Sequence, residues 1–300
     1  MTKIGQVVVG VDGSESSREA IEFAAESARL RGATLRVVHA FIWPLMRVPV
    51  GPLPDGPPEG GLRNDAERIV AEAVEQAVRA EPGIRASGEV VTGAPAAVLI
   101  QESRRADAVV VGNRGLGGFT GLLIGSVGVS VAAHAGCPVT VVRPREGEGP
   151  STGRVVVGVD GSSSSEYALA TAFEEASLRS TGLTVIHGWT APASLGDGQV
   201  PLAYDPDTVA SNETHLLNDL LADWQRRYPG LDVRPQVLYA KPNKLLVQES
   251  QGAALLVVGS RGRGGFRGLL LGSVSQAALH HAHCPVVVAR GRHEQLAGSD

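Results

Sequence analysis

The chain has 300 residues, 43% of them apolar and 19% charged, with a formal net charge of −4 and two cysteines. That balance excludes a disordered chain, a small disulfide-stapled scaffold and a basic nucleic-acid-binding surface, and no run reaches the roughly 18 apolar residues of a membrane helix. Glycine stands out, with 38 residues against Trp 3, Tyr 4 and Phe 5. Such a surplus serves either flexible linkers or tight turns where backbone must come close to a ligand.

The opening residues run straight into an apolar strand pattern with no signal-peptide core. With so few cysteines, the expectation is a cytoplasmic protein. Val7–Val11 is a β-branched run broken only by Gly10, the pattern of a strand covered on both faces. After an Asp-Gly-Ser turn, Ile21, Ala24, Ala25 and Ala28 share one helical face, and Gly32 is placed to close that helix in a left-handed cap. Thr34–Ala40 reads as the second strand. The Pro/Gly-rich stretch 43–61 is too long for a simple turn. Val70, Ala73, Val74 and Ala77 then mark a second helix, a third strand ends near Val91, and a short helix follows Pro95. Ala108–Val111, a helix from Ser126 and a strand over Val139–Val142 complete the series.

The same series then occurs again. VVVGVDGS at 7–14 recurs at 155–162, and the stretch 112–143 is matched by 259–290, with one residue of difference in between. VVHA at 37–40 answers VIHG at 185–188, and QES at 101–103 answers QES at 248–250. In the second copy the first helix face is Leu169, Ala172, Phe173 and Ala176, with Ser163 and Glu166 as a capping box and Gly182 as its terminator. Leu183–Gly188, a connection over 189–207, the face Leu217, Leu220, Leu221 and Trp224, a strand ending near Leu238, a helix after Pro242, Leu255–Val258, a helix from Ser273 and Val286–Ala289 follow. A repeat of this size is a whole domain. The boundaries are residues 1–146 and 153–292, joined by a polar linker at 147–152. Strands alternating with helices imply βαβ crossovers, hence an α/β fold: two tandem doubly wound domains, each a five-stranded parallel sheet with helices on both faces.

In such sheets a ligand binds beyond the carboxyl ends of the strands. The densest glycines lie there, directly after the fourth strand. Gly112-Asn113-Arg114-Gly115 is followed after nine residues by Gly125-Ser126, and Gly259-Ser260-Arg261-Gly262 by Gly272-Ser273 at the same spacing. Backbone N–H groups without a Cβ can face an anion closely, and a helix N-terminus adds partial positive charge. The cluster reads as a phosphate cradle, the alternative being a glycine-rich connection alone. The Ser126 and Ser273 hydroxyls either cap their helices or donate to a phosphate oxygen. There is no Walker loop and no dinucleotide fingerprint.

The paired VVVGVDGS, the G-x2-G-x9-G-[ST] signature and the closing CPV-x-V strands at 137–141 and 284–288 resemble a tandem universal stress protein over nearly the whole chain. The Ala/Gly/Val/Arg-rich composition is similar to that of mycobacterial members. The resemblance implies strand order 3-2-1-4-5 and, because both halves keep the signature, two ATP sites, with Mg. It implies that Asp12 and Asp160 contact the adenosine moiety and that the main chain of Ala40 and Gly188 pairs with adenine. Gly112, Gly115, Gly125, Ser126 and Val127, and Gly259, Gly262, Gly272, Ser273 and Val274, would hold ribose and phosphates. It further implies pairing through the final strands, satisfied within one chain or extended to a homodimer; the sequence names no protein partner.

Several residues keep two readings. Asp12 is a ligand contact or a turn residue capping the first helix. Arg114 and Arg261 clamp phosphate or stand in solvent. His280, His281, His283 and Cys284 suggest a metal, but helix-end histidines account for them better, and no metal site is expected. Cys137 and Cys284 read as buried packing, His39 and His187 as hydrogen-bonded core histidines, and Ser14 as a helix cap. Asn113 and Ala254 depart from their counterparts Ser260 and Asp107. No lysine, catalytic base or fixed arginine finger accompanies the cradle, so the expectation is an ATP-binding regulator with little turnover rather than an enzyme or an empty scaffold.

Overall fold

The computed structural model describes residues 5–41, 60–115, 124–143, 153–190, 206–263 and 270–291. The connections at 43–61 and 189–207 and the linker at 147–152 lie wholly or largely outside these. The chain divides into two compact units, Met1–Pro144 with Arg290–Asp300, and Arg145–Ala289.

The first unit runs β1 (Gln6–Gly10), α1 (Glu15–Arg31), β2 (Thr34–Phe41), α2 (Gly60–Ala80), β3 (Ala86–Thr92), α3 (Pro95–Ser103), β4 (Ala108–Gly112), α4 (Ser126–His134) and β5 (Val139–Val142). The second repeats it as β6 (Val155–Gly158), α5 (Ser163–Leu178), β7 (Leu183–Trp189), α6 (Pro206–Arg227), β8 (Val233–Tyr239), α7 (Pro242–Glu249), β9 (Leu255–Gly259), α8 (Ser273–His281) and β10 (Val286–Ala289). Every described strand pair within a unit is parallel, in the order β3-β2-β1-β4-β5 and β8-β7-β6-β9-β10. Both orders correspond to 3-2-1-4-5. They reverse between the first and fourth strands of each unit, where such folds bind ligands.

The valine runs are buried because both faces of the sheet are covered. Val7 and Val9 join a core with Ile21, Ala24, Ala25 and Ala28 of α1 and Ala73 and Ala77 of α2. Val8, facing the other way, is equally buried, as are Val98 and Leu99 of α3 and Val131 of α4. The repeated QES has a structural use. Ser103 and Ser250 are buried, and their hydroxyls accept the N–H of Gly136 at 2.9 Å and of His283 at 3.0 Å, tying α3 and α7 to the approach of the last strand.

Two expected helix ends differ. Helix α1 closes at Gly32 (φ 60°) as anticipated. Helix α5 stops at Leu178, well before Gly182, because Ser180 takes the left-handed position (φ 50°) and Thr181 N–H closes on Ala176 O at 3.0 Å. The hydrogen-bonded closure carries the serine through a conformation that costs a non-glycine residue about 1–2 kcal/mol. Gly182 is small for another reason: a Cβ there would overlap the Arg154 guanidinium. The cap of α5 is Ser162, one residue before the anticipated Ser163, and its hydroxyl accepts Ser165 N–H at 3.2 Å.

Candidate functional site

The turn after the first strand of each unit is built from the backbone outward. Val11 N–H bonds Val38 O at 3.0 Å, continuing the β1–β2 register one step past the strand. Asp12 then turns its carboxylate onto Ser14 N–H at 3.0 Å, Gly13 bends at φ 85°, and Ser14 caps α1. In the second unit Asp160 accepts Ser162 N–H at 3.0 Å and the Ser162 hydroxyl at 2.6 Å, and its other oxygen accepts Arg263 N–H at 2.9 Å. Burial opposes ionisation of Asp160. The hydrogen bonds from the Ser162 hydroxyl and from the Arg263 and Ser162 N–H groups outweigh burial and hold its carboxyl below the ordinary 3.8.

The glycine segment is locked to the first helix. Ser16 donates its hydroxyl to Asn113 Oδ1 at 2.7 Å and accepts Arg114 N–H at 3.3 Å. Ser164 lies 3.2 Å from the Ser260 hydroxyl and accepts Arg261 N–H at 3.2 Å. Asn113 and Ser260 are thus two solutions to one tether. The departure at Ala254 lies at the amino end of β9, where its counterpart Asp107 accepts Gln6 N–H at 2.9 Å, away from the glycines.

Much of the glycine signature answers to contacts within the protein. A Cβ on Gly112 would stand 2.7 Å from Ser16 O, and one on Gly259 would stand 2.8 Å from Ser164 O. A Cβ on Gly115 or Gly262 would strike the Asp12 or Asp160 carboxylate. These four are small because the protein's own first helix and aspartate press on them. Gly125 and Gly272 differ: the nearest atoms to a Cβ are Asn113 O at 3.6 Å and Arg261 Cα at 3.4 Å, ordinary contacts. They, and not Ser126 and Ser273, are the N-caps of α4 and α8, and being glycines they bring no side-chain cap to either helix. Of the two serine roles left open above, capping is therefore eliminated. The first N–H groups of both helices keep no intrahelical partner.

Strand two supplies a further wall. His39 Nδ1 lies 2.8 Å from Val11 O and His187 Nδ1 lies 2.8 Å from Val159 O; a carbonyl only accepts, so Nδ1 carries the hydrogen in both. In the second unit, Nε2 of His187 also faces Glu213 of α6 at 3.1 Å. The aligned position of α2 is Ala66, which is buried.

In the first unit a cavity of about 500 Å³ brings together Asp12, Ala40, Gly112, Arg114, Gly115, Gly125, Ser126 and Val127. It lies beyond the carboxyl ends of β1, β2 and β4, against the N-terminus of α4. Their counterparts Asp160, Gly188, Gly259, Arg261, Gly262, Gly272, Ser273 and Val274 occupy the corresponding strand ends and helix start of the second unit. Gly188 is tight against α7: a Cβ would come within 3.2 Å of Leu245 and of Pro242 Cα. Sequence reasoning missed the apolar wall. Pro95, Leu99 and Ile124 line the cavity, and Leu99 fills the space beside Gly10 as Leu246 fills it beside Gly158. A leucine on the sheet-facing side of the third helix, opposite a strand-ending glycine, was the available signal.

The weaker candidates lie elsewhere. His280 and His281 occupy the last turn of α8, and among the described residues no group of three or more His, Cys, Asp or Glu converges as metal ligands would. Cys137 and Cys284 are buried at the mouths of the last strands. No helix of the described residues is long and apolar enough to cross a membrane.

The family model described as "Universal stress protein family" matches residues 3–143 and again 152–290. Universal stress protein Rv2005c of Mycobacterium tuberculosis (strain ATCC 25618 / H37Rv) is 40% identical over 291 residues, which is 95% of this chain and 96% of the relative. Universal stress protein Rv2623 of the same strain is 38% identical over 292 residues, with the same coverage. A crystal structure of a universal stress protein from Archaeoglobus fulgidus DSM 4304 shares the fold, with TM-score 0.68 and 20% identity over 95% of this chain and 96% of that one.

Proposed function

The chain belongs to the universal stress protein family, and from that premise we propose that each half is an adenine-nucleotide site, taking ATP with Mg, whose occupancy acts as a conformational or assembly switch. One observation carries the reading: the cavity of about 500 Å³ gathers the aspartate of the first turn, the end of strand two and the glycine cradle around one helix N-terminus. Its volume and largely apolar wall suit a nucleoside, while the open N–H groups behind Gly125 suit a phosphate.

The donor set fits the absent groups. Gly125 leaves the helix start open to an anion, with no atom of the described residues closer than 3.6 Å to its Cβ position. A magnesium ion accompanying ATP is held mainly by phosphate oxygens and water, so Asp12 or Asp160 suffices as the protein carboxylate. Asp12 accepts a hydrogen bond from its own turn and lines the cavity, so its place in the turn is compatible with a ligand contact, whereas the cap of α1 is Ser14. Arg114 also lines the cavity and is exposed, which leaves it able to approach phosphate.

Little or no turnover is part of the proposal. The described lining contains no lysine, and the one histidine in it, His39, already commits Nδ1 to Val11 O. Rapid phosphoryl transfer needs a positioned nucleophile and a cation fixed on the transferring group. A regulator that cycles by binding and release needs neither.

Titration calorimetry of the purified protein with MgATP is the test. Two ATP per chain are expected, with one lost in Gly125→Glu, one in Gly272→Glu and both in the double variant, because a carboxylate side chain would fill and repel the phosphate cradle. Retention of two ATP by the double variant would refute the site. Steady phosphate release at several turnovers per second would replace the switch with an enzyme.

A further inference from the structure

Beyond the exchange of Asn113 for Ser260, the two copies differ at the position that follows the second glycine of the cradle. Arg114 and Arg261 are equivalent, but the residue after the second glycine is Arg263 in the second copy and Leu116, outside the described residues, in the first. Arg263 is held at the site by its main chain, whose N–H bonds Asp160 Oδ2 at 2.9 Å. Its guanidinium lies across Gly161 in the Asp-Gly-Ser turn: a Cβ there would overlap Nη2 and stand 3.1 Å from Cζ. The loop carrying it abuts the start of α8, with Gly262 N 3.6 Å from the Cβ position of Gly272. Arg263 is exposed, and among the described residues no carboxylate forms an ion pair with its guanidinium. In the first unit the same turn is covered by an apolar group, Ile69 Cδ1, 3.4 Å from the Cβ position of Gly13.

We propose that Arg263 makes the second site select nucleotides by phosphate charge, favouring triphosphate over monophosphate, whereas the first site discriminates less. The inference rests on the nucleotide reading above. A guanidinium at the cradle rim gains a charge-assisted contact with each additional phosphate it reaches, while the nucleoside is held by the same backbone in both halves. The two sites then fill over different ranges of ATP and AMP, so the chain responds to their ratio and not to ATP alone.

The experiment compares MgATP and AMP by calorimetry in Gly125→Glu, which leaves the second site, and in Gly272→Glu, which leaves the first. The ATP-to-AMP affinity ratio is expected to be larger at the second site. Adding Arg263→Leu to Gly125→Glu should weaken ATP about tenfold, the loss of one charge-assisted contact, and leave AMP within about twofold. The unchanged AMP affinity doubles as the control for an intact site, and Arg263→Lys should keep part of the preference because the charge remains. An ATP-to-AMP ratio unmoved by Arg263→Leu, or an equal loss of both ligands, would overturn the inference while leaving nucleotide binding standing. Absence of binding by either nucleotide in both single-site backgrounds would overturn the nucleotide reading itself.

Discussion

Helices α1 and α5 hold the same place in their units but meet the following helix through opposite packing chemistry. In the first unit the most buried part of the contact is made largely of small residues: Ala24, Ala25 and Ala28 share a core with Ala73 and Ala77, all nearly inaccessible, and Phe23, Ile69 and Val74 pack against it only partly buried. In the second, the position of Ala25 is taken by Phe173, fully buried and stacked on Trp224 with ring centroids 5.3 Å apart, and Tyr228 lies at 5.4 Å. The fold therefore tolerates exchange of methyl groups for aromatic rings beneath an unchanged sheet order. Against that tolerance, the identity of the first turn and of the glycine spacing in both units is not what the packing of the core requires. It follows contacts at the strand ends.

The largest test of that comparison removes the aromatic core. Phe173→Ala should cost about 3–5 kcal/mol, the usual range for truncating a fully buried ring, since Trp224 and Tyr228 would lose their partner. Denaturant unfolding followed by tryptophan fluorescence is well suited, because Trp189 and Trp224 both report on the second unit. A loss below about 1 kcal/mol would mean that α6 collapses onto α5 as closely as α2 sits on α1, and the two packings would be interchangeable.

A smaller effect separates glycines by their reasons. Gly112→Ala should destabilise the first unit by about 1–3 kcal/mol, since the new methyl must displace the backbone of Ser16. Gly125→Ala should cost less, no more than about 1 kcal/mol, because among the described residues its Cβ meets nothing closer than 3.6 Å and its φ of −73° suits any residue, leaving only the poorer N-cap preference of alanine. Equal losses at the two positions would show that Gly125 too is held small by the protein and not left open for a ligand.

Those glycines also mark how far the sequence could be read. The repeat, the strand order implied by the resemblance and the gathering of Asp12, Ala40 and the glycine cluster at one sheet end were legible, because each follows from strand–helix alternation or motif position. The cause of Gly112 was not. It is pressed by a helix nearly a hundred residues earlier, and no local pattern records that contact. Ser180 was missed because a left-handed residue is normally read from glycine, while its own closure depends on Thr181 reaching back to Ala176. The rim arginine could be seen as a difference between the copies, but its contact with Gly161 depended on the fold.

A comparably small effect concerns the Asp160 turn of the second unit. The Ser162 hydroxyl donates to Asp160 at 2.6 Å and accepts Ser165 N–H at 3.2 Å, so it braces the carboxylate and caps α5 at once. Ser162→Ala should cost about 1 kcal/mol at neutral pH, the ordinary value of a lost N-cap. It should also shift the acid limb of stability. The Asp160 carboxyl is held below 3.8 in the folded protein, so its contribution is present above that value and lost as pH falls through the depressed folded value. Removing the hydroxyl donor raises the folded value toward 3.8, which narrows the window and moves the loss to higher pH. Acid unfolding monitored by tryptophan fluorescence, wild type against variant, checks the sign. A loss of stability that is the same at every pH of the acid limb would show that Ser162 acts on the second unit only as a helix cap, and that the remaining donors, the Arg263 and Ser162 N–H groups and the Ser165 hydroxyl, keep the Asp160 carboxyl low.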